Sequence, residues 1–135
     1  MLTNIEHIGI AVRNIEEAKA IYTRLLGHPP YKDEKVDSEQ VITSFFKINL
    51  TKIELIQALN ESSAVAKFIE KKGEGVHHIA FETDDMETEL KRLRNEGFIV
   101  LEGFPKQGAD NKMVAFLHPK NSNGVLVELC MEIRE

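Results

Sequence analysis

The chain has one cysteine, Cys130, in 135 residues, so no internal disulfide can form and nothing points to a disulfide-stapled secreted scaffold. No apolar run approaches the ~20 residues that cross a bilayer, and the first residues lack a signal-peptide pattern. A cytoplasmic protein without membrane contact is the expectation. Excess basic charge is also missing: 17 Lys and Arg stand against 22 Asp and Glu, a net charge of −5. Nucleic-acid binding needs a basic face to meet phosphates, so that class is disfavoured. A small anionic ligand on a local basic patch remains open. There is no low-complexity stretch and no long flexible linker. What is present is ordinary for a globular domain, with 42% hydrophobic and 29% charged residues. At this length a single domain over residues 1–135 is expected, burying roughly 68–70% of its unfolded surface.

The most informative feature is an internal repeat. Residues 5–12 read I-E-H-I-G-I-A-V, and residues 76–83 read V-H-H-I-A-F-E-T. Aligning His7 with His78 sets Ile8 on Ile79 and Gly9 on Ala80. Each segment then meets a polar helix start, Asn14 or Asp84 and Asp85, and an amphipathic helix. The first helix is expected over 15–26, with Asn14 as N-cap, Glu17 completing a capping box and Gly27 as the stop. Its apolar stripe is Ile15, Ala18, Tyr22 and Leu25. The second is expected from Met86 to about Glu96, with Met86, Leu90 and Leu93 as its stripe and Gly97 as the stop.

Strand-like material follows each helix: 31–36, 40–48 and 52–58 in the first half, and 99–102, 113–117 and 125–131 in the second. A short connector helix, about 64–72, separates the halves. The fold class is therefore α+β, with two tandem βαβββ modules at about 1–60 and 75–135 and a connector at about 61–74. Two such units can cover one sheet face with helices and form a shared concave sheet on the other, which makes a cleft for a small molecule.

Strand alternation puts Ile5, His7, Gly9 and Ala11 on one face, and Val76, His78, Ala80 and Glu82 on the matching face of the second half. The small residue two places after each His leaves room for a ligand. The last strand of each half adds one carboxylate among apolar residues, Glu54 in I-E-L-I and Glu128 in V-L-V-E-L-C. His7 and His78 are 71 residues apart, and Glu54 and Glu128 are 74 apart. A carboxylate buried among apolar residues is costly unless it is paired or bound to metal. Two imidazoles and two carboxylates placed by one repeat would make a site for Co²⁺, Mn²⁺, Ni²⁺, Zn²⁺ or Fe²⁺. A lone His or Glu on a strand is more often structural, and the joint pattern is what raises these four. His77 competes with His78, but the repeat register favours His78. Glu39 could reach the cleft edge or be a solvated turn carboxylate. Lys120, after His118 and Pro119, could hold a phosphate or simply face solvent. Cys130 is expected to pack.

The H-I-G-I-A-V opening, the H-H-I-A-F second opening and the closing V-E-L resemble the vicinal-oxygen-chelate superfamily, which has the glyoxalase fold. Phe116-Leu117-His118-Pro119-Lys120, followed by Gly124-Val125-Leu126-Val127-Glu128-Leu129, resembles its methylmalonyl-CoA epimerase family. So does Thr51-Lys52-Ile53-Glu54-Leu55 with Leu59-Asn60 and the connector helix. The resemblance covers nearly the whole chain. It implies paired βαβββ modules, a homodimer, an acyl-CoA substrate and metal ligands at His7, His78 and Glu128, with Glu54 as the fourth. It also implies epimerisation at C2 of the thioester. A divalent cation would polarise the carbonyl, one carboxylate would take the proton and a second acid would return one on the other face. Glu128 is the implied base. In some relatives the second group is a glutamate on the second strand of the first half. Ser44 or Thr43 falls near that place here, and Glu39 is the candidate substitute.

Three other functions are weighed. A glyoxalase-I-like isomerase (lactoylglutathione lyase) would use the same four ligands, but the closing motif argues against it. An extradiol dioxygenase needs two His and one carboxylate with open positions on Fe²⁺, and a fourth protein ligand argues against that. A metal-free drug-binding resistance protein would have no need of matched His and Glu.

Overall fold

The computed structural model describes residues 1–134; Glu135, the last residue of the expected domain, lies outside the described residues. The chain is α+β and divides into two compact units: His7–His77, and Met1–Glu6 together with His78 onward.

The first unit takes the later residues of β1 (Leu2–Ala11), then α1 (Ile15–Leu26), β2 (Lys32–Val36), β3 (Val41–Ile48), β4 (Thr51–Ala58) and α2 (Ala64–Lys72). Its strand order is β2-β3-β4-β1. β1 runs parallel to β4, which requires a crossover, and α1 lies on the chain between them. The ends of α1 are capped as expected, but Leu25 of the expected stripe is 70% exposed, and Leu26 packs against the core with Tyr22 instead. Asn14 accepts a hydrogen bond from the Glu17 backbone N–H at 3.1 Å. Gly27, at φ +84°, closes the helix in the left-handed conformation that a Cβ would oppose, and its N–H donates to the Thr23 carbonyl. The sheet face toward α1 is apolar: Phe46 and Leu55 pack with Val12, Ile15 and Ala18 in one core.

The second unit combines the first residues of β1 with β5 (Gly75–Thr83), which enters it at His78, then α3 (Met86–Asn95), β6 (Lys106–Gln107), β7 (Lys112–Leu117) and β8 (Val127–Glu132). Its strand order is β1-β5-β8-β7-β6. Thr3 and Asn4 hold β1 against β5 through hydrogen bonds donated to the Glu82 carbonyl and carboxylate. Asp85 caps α3 by accepting from the Thr88 N–H at 3.1 Å. Met86, Leu90 and Leu93 bury the stripe of α3 against Ala115, Leu117 and Leu129.

One expected strand is misplaced. Residues 99–102 form no strand; they make a single bridge, Val100 to Leu117. The ladder partner of β7 is β6, which starts at Lys106. Gly103, at φ +88°, turns the chain, and Pro105 has no N–H to donate, so regular pairing resumes only beyond it. The last strand also starts later than expected, at Val127, because Val125 spends its N–H on the Ser122 carbonyl in the preceding turn. Among the described residues no helix is long and apolar enough to cross a membrane.

The edge of the first unit is tied to α1 by an ion pair. Lys19 Nζ lies 2.7 Å from Asp33 Oδ2 on β2. Partial burial raises the Asp33 pKa, but the hydrogen bond from Lys19 and the nearby Ser44 hydroxyl outweigh it and hold the carboxyl below its usual 3.8. A carboxyl depressed in the fold contributes stability above its unfolded value, and that contribution is lost as pH falls through the folded value. Asp33→Asn should therefore lower the urea midpoint at pH 7, by no more than about 1 kcal/mol for so exposed a pair. The difference from the parent should vanish when the titration is repeated well below pH 3.8.

Candidate active site

Each unit holds one buried His–Glu pair, and the two pairs are built by the same register. In the first unit the parallel β1–β4 ladder sets Gly9 beside Glu54. In the second the parallel β5–β8 ladder sets Ala80 beside Glu128. The His stands two residues before the small residue in both cases, so imidazole and carboxylate share a sheet face. The next strand supplies a phenylalanine opposite each carboxylate, Phe45 to Glu54 and Phe116 to Glu128.

The side chains meet. His7 Nδ1 lies 3.0 Å from Glu54 Oε2, and His78 Nε2 lies 3.2 Å from Glu128 Oε1. All four residues are no more than 5% exposed. The His78 ring also stands edge-on to Phe116, with centroids 5.5 Å apart. Taking a carboxylate this far from water costs several kcal/mol unless a partner compensates, and an imidazole within hydrogen-bond distance is such a partner. Neutral imidazole nitrogens beside carboxylate oxygens are also the donor set that a borderline divalent cation prefers. A carboxylate held in this way can accept a proton from a substrate carbon.

The other candidates separate. His77 turns toward α2, its ring edge-on to Phe68 at 4.8 Å. Glu39 sits in the 3-10 turn Asp37–Glu39 that joins β2 to β3, beyond the last register pair of those strands, Val36 with Val41. Ser44 and Thr43 point to opposite faces. Ser44 is cross-strand from Leu55 and Asp33, on the α1 side, whereas Thr43 shares the face of Phe45 and Glu54. His118 caps a short 3-10 turn, its Nδ1 accepting the Lys120 N–H at 3.0 Å. Cys130 is fully buried and packs with Ala80 and Val114. Burial, and then the nearby Glu128 and Glu6 carboxylates, push its thiol pKa upward, so it stays protonated and is no nucleophile.

Two acidic residues escape sequence reasoning. Glu6 is 4% exposed and close enough to act on the Cys130 thiol, and no sequence pattern marks it. Glu34 lies on β2 directly across from Thr43. The signal for Glu34 was available in part, because strand alternation groups it with Lys32 and Val36. Which face that group occupies depends on the β2–β3 register.

A model of the Glyoxalase/Bleomycin resistance protein/Dioxygenase superfamily matches residues 6–116. The chain belongs to this superfamily. Within it, the chain is 41% identical over 131 residues to the ethylmalonyl-CoA/methylmalonyl-CoA epimerase of Cereibacter sphaeroides, covering 96% of this chain and 98% of the relative. A variant of Streptomyces coelicolor methylmalonyl-CoA epimerase, solved with 2-nitronate-propionyl-CoA, superposes with a TM-score of 0.94 at 35% identity over 99% of this chain and all of that one. A methylmalonyl-CoA epimerase solved with methylmalonyl-CoA and NH4+ gives a TM-score of 0.93 at 36% identity, covering 98% and 96% of the two chains.

In this superfamily member the small residue beside each carboxylate is open to test. Ala80 has no exposed surface and packs among Val114, Cys130 and Phe104. Ala80→Val forces two methyl groups into that space and should cost about 1–3 kcal/mol in urea denaturation.

Proposed function

We propose that this chain interconverts the two C2 epimers of methylmalonyl-CoA. The observation that carries the reading is the pair of buried His–Glu couples at one repeated register, in a chain whose near-full-length relatives bear that activity in their names. The four residues His7, Glu54, His78 and Glu128 are the proposed ligands of one divalent cation, with Co²⁺, Mn²⁺, Ni²⁺ and Zn²⁺ as candidates. The donor set supports this: two imidazoles and two carboxylates, each carboxylate buried and within 3.2 Å of an imidazole nitrogen. Such a cation would supply the Lewis acidity that draws negative charge onto the thioester oxygen.

The protein's own groups do the rest. The substrate C2–H lies between a thioester carbonyl and a carboxylate and is a weak carbon acid. Glu128 is the proposed base, for its oxygen sits buried beside His78 on a face cleared by Ala80. Burial excludes water, which strengthens each electrostatic contact with the developing enolate. Phe45 and Phe116 wall the two pairs with apolar surface. A homodimer and a cytoplasmic setting belong to the same proposal, the first from the family resemblance and the second from the lone buried cysteine.

Two measurements test it. Calorimetric titration of metal-stripped protein with Co²⁺ should show one site per chain, and His7→Ala or His78→Ala should weaken it at least about tenfold, as loss of a ligand in such sites does. Saturating metal with no binding would remove the cation from the reading. Incubation of metal-loaded protein with methylmalonyl-CoA in D₂O should place deuterium at C2, and Glu128→Gln should slow this by about 100-fold or more. Turnover of a glutathione hemithioacetal without C2 exchange would instead favour a glyoxalase-type isomerase.

A further inference from the structure

The four methionines of the chain, Met1, Met86, Met113 and Met131, all belong to the second unit. Three of them meet at one place. Met86 is the first residue of α3 and is 3% exposed. Met113 and Met131, directly cross-strand on β7 and β8, pack against the core that Met86 shares with Leu90 and Leu93. Methionine is an ordinary filler of irregular core space, and that is account enough for Met86.

Two observations set Met131 apart. The first is a hydrogen bond: the backbone N–H of Met86 donates to Met131 Sδ at 3.4 Å. The first turn of a helix has N–H groups with no partner inside the helix. On α3 the Asp85 carboxylate takes the Thr88 N–H and hydroxyl, so the thioether holds a donor that the cap leaves over. The second is access. Met131 and Met113 line an open cleft of about 570 Å³ beyond the ends of β5 and β8, with Thr3, Asp84, Glu132 and Arg134. A thioether is oxidised at its sulfur, and exposure decides which methionines react. Here a sulfur that borders an open cleft also supports the end of a helix.

We propose that Met131 is a site of reversible oxidation by a hydroperoxide, and that its sulfoxide releases the N-terminal turn of α3. Nothing in this depends on the epimerase reading. A sulfur lone pair attacks one oxygen of the hydroperoxide. The S–O bond forms as the O–O bond breaks, and the other oxygen leaves with the proton, as water or an alcohol. Sulfur loses two electrons and the peroxide gains them. The cleft favours a neutral oxidant, since Glu82, Asp84 and Glu132 outnumber Arg134 along it and oppose an anion such as hypochlorite. The sulfoxide is polar. It trades contact with the Met86, Leu90 and Leu93 core for water in the cleft, and the Met86 N–H loses its acceptor. A thiol-dependent sulfoxide reductase reverses the change by returning two electrons to sulfur, and the oxygen leaves as water.

The test treats the full chain with hydrogen peroxide. Peptide mass spectrometry reads each methionine, and NMR reads the exchange of the α3 amides. Met131 should gain one oxygen at least about tenfold faster than Met86, whose side chain is shielded. In the oxidised protein the amides of the first turn of α3 should exchange about fivefold or more faster, the scale of one lost hydrogen bond. Sulfoxide reductase with a dithiol should restore the parent rate. Met131→Leu nearly conserves volume and so keeps the fold. Its Met86 amide should exchange faster from the start, and peroxide should change it no further. Met131 remaining reduced while Met86 is oxidised overturns the proposal. So does oxidised Met131 with the α3 amides at the parent rate. A peroxide response that persists in Met131→Leu and disappears in Met113→Leu overturns it in favour of Met113.

Discussion

The molecule is organised around the burial of a carboxylate beside an imidazole, done twice. Glu54 and Glu128 sit in the middle of strands whose neighbours are apolar, and each is almost closed to solvent. A strand carrying such a residue would give up several kcal/mol if the charge had no partner. The parallel ladders β1–β4 and β5–β8 prevent this by setting a His two residues before a Gly or Ala, with that small residue directly beside the carboxylate. A one-residue slip in either ladder would send the carboxylate into the helix-covered core and the His to the wrong side. Register is therefore constrained by electrostatics as well as by the apolar pattern.

The rest of each unit serves that register. In the first, Phe46 and Leu55 must meet Ile15 and Ala18 for α1 to bury its stripe, and this fixes which residues of β3 and β4 point away from it. In the second, Leu129 and Ala115 meet Leu90 and Leu93 of α3, which sends Glu128 and Phe116 to the other face. Helix-facing and pair-facing residues thus alternate along one strand, one residue apart, as Leu55 follows Glu54 and Leu129 follows Glu128. Packing on one side aims the chemistry on the other.

Much of this was legible in the sequence because it is written twice. The His–Ile–small motif, the isolated Glu in an apolar strand and the capped helix after the first strand all recur, and coincidence in two halves is informative where one occurrence is not. The helices were readable from local chemistry: Asn14 and Asp85 cap them as their sequences suggest. The edge of the second unit was not. Residues 99–102 look like a strand in composition, but Gly103 and Pro105 shift the pairing segment to Lys106, and only tertiary contact with β7 decides that. Glu39 drew attention because it is near in sequence to Thr43. Nearness along a hairpin is a poor guide: the residue paired across the strand from Thr43 is Glu34, whereas Glu39 lies beyond the last register pair of the two strands.

The repeat also says where the two halves have stopped being equivalent. Glu34 lies across from Thr43, which is two residues from the phenylalanine opposite Glu54. The matching position in the second unit is Lys106, across from Val114, two residues from the phenylalanine opposite Glu128. Both strands have the same place in the fold, so secondary structure alone does not ask for an acid in one and a base in the other. Each cation there rests on an aromatic ring, Lys32 over Phe45 and Lys106 over Phe104. The difference is that the first unit adds a carboxylate to that arrangement and the second does not. The charge reversal between Glu34 and Lys106 is a difference between the halves that the packing of either sheet does not account for.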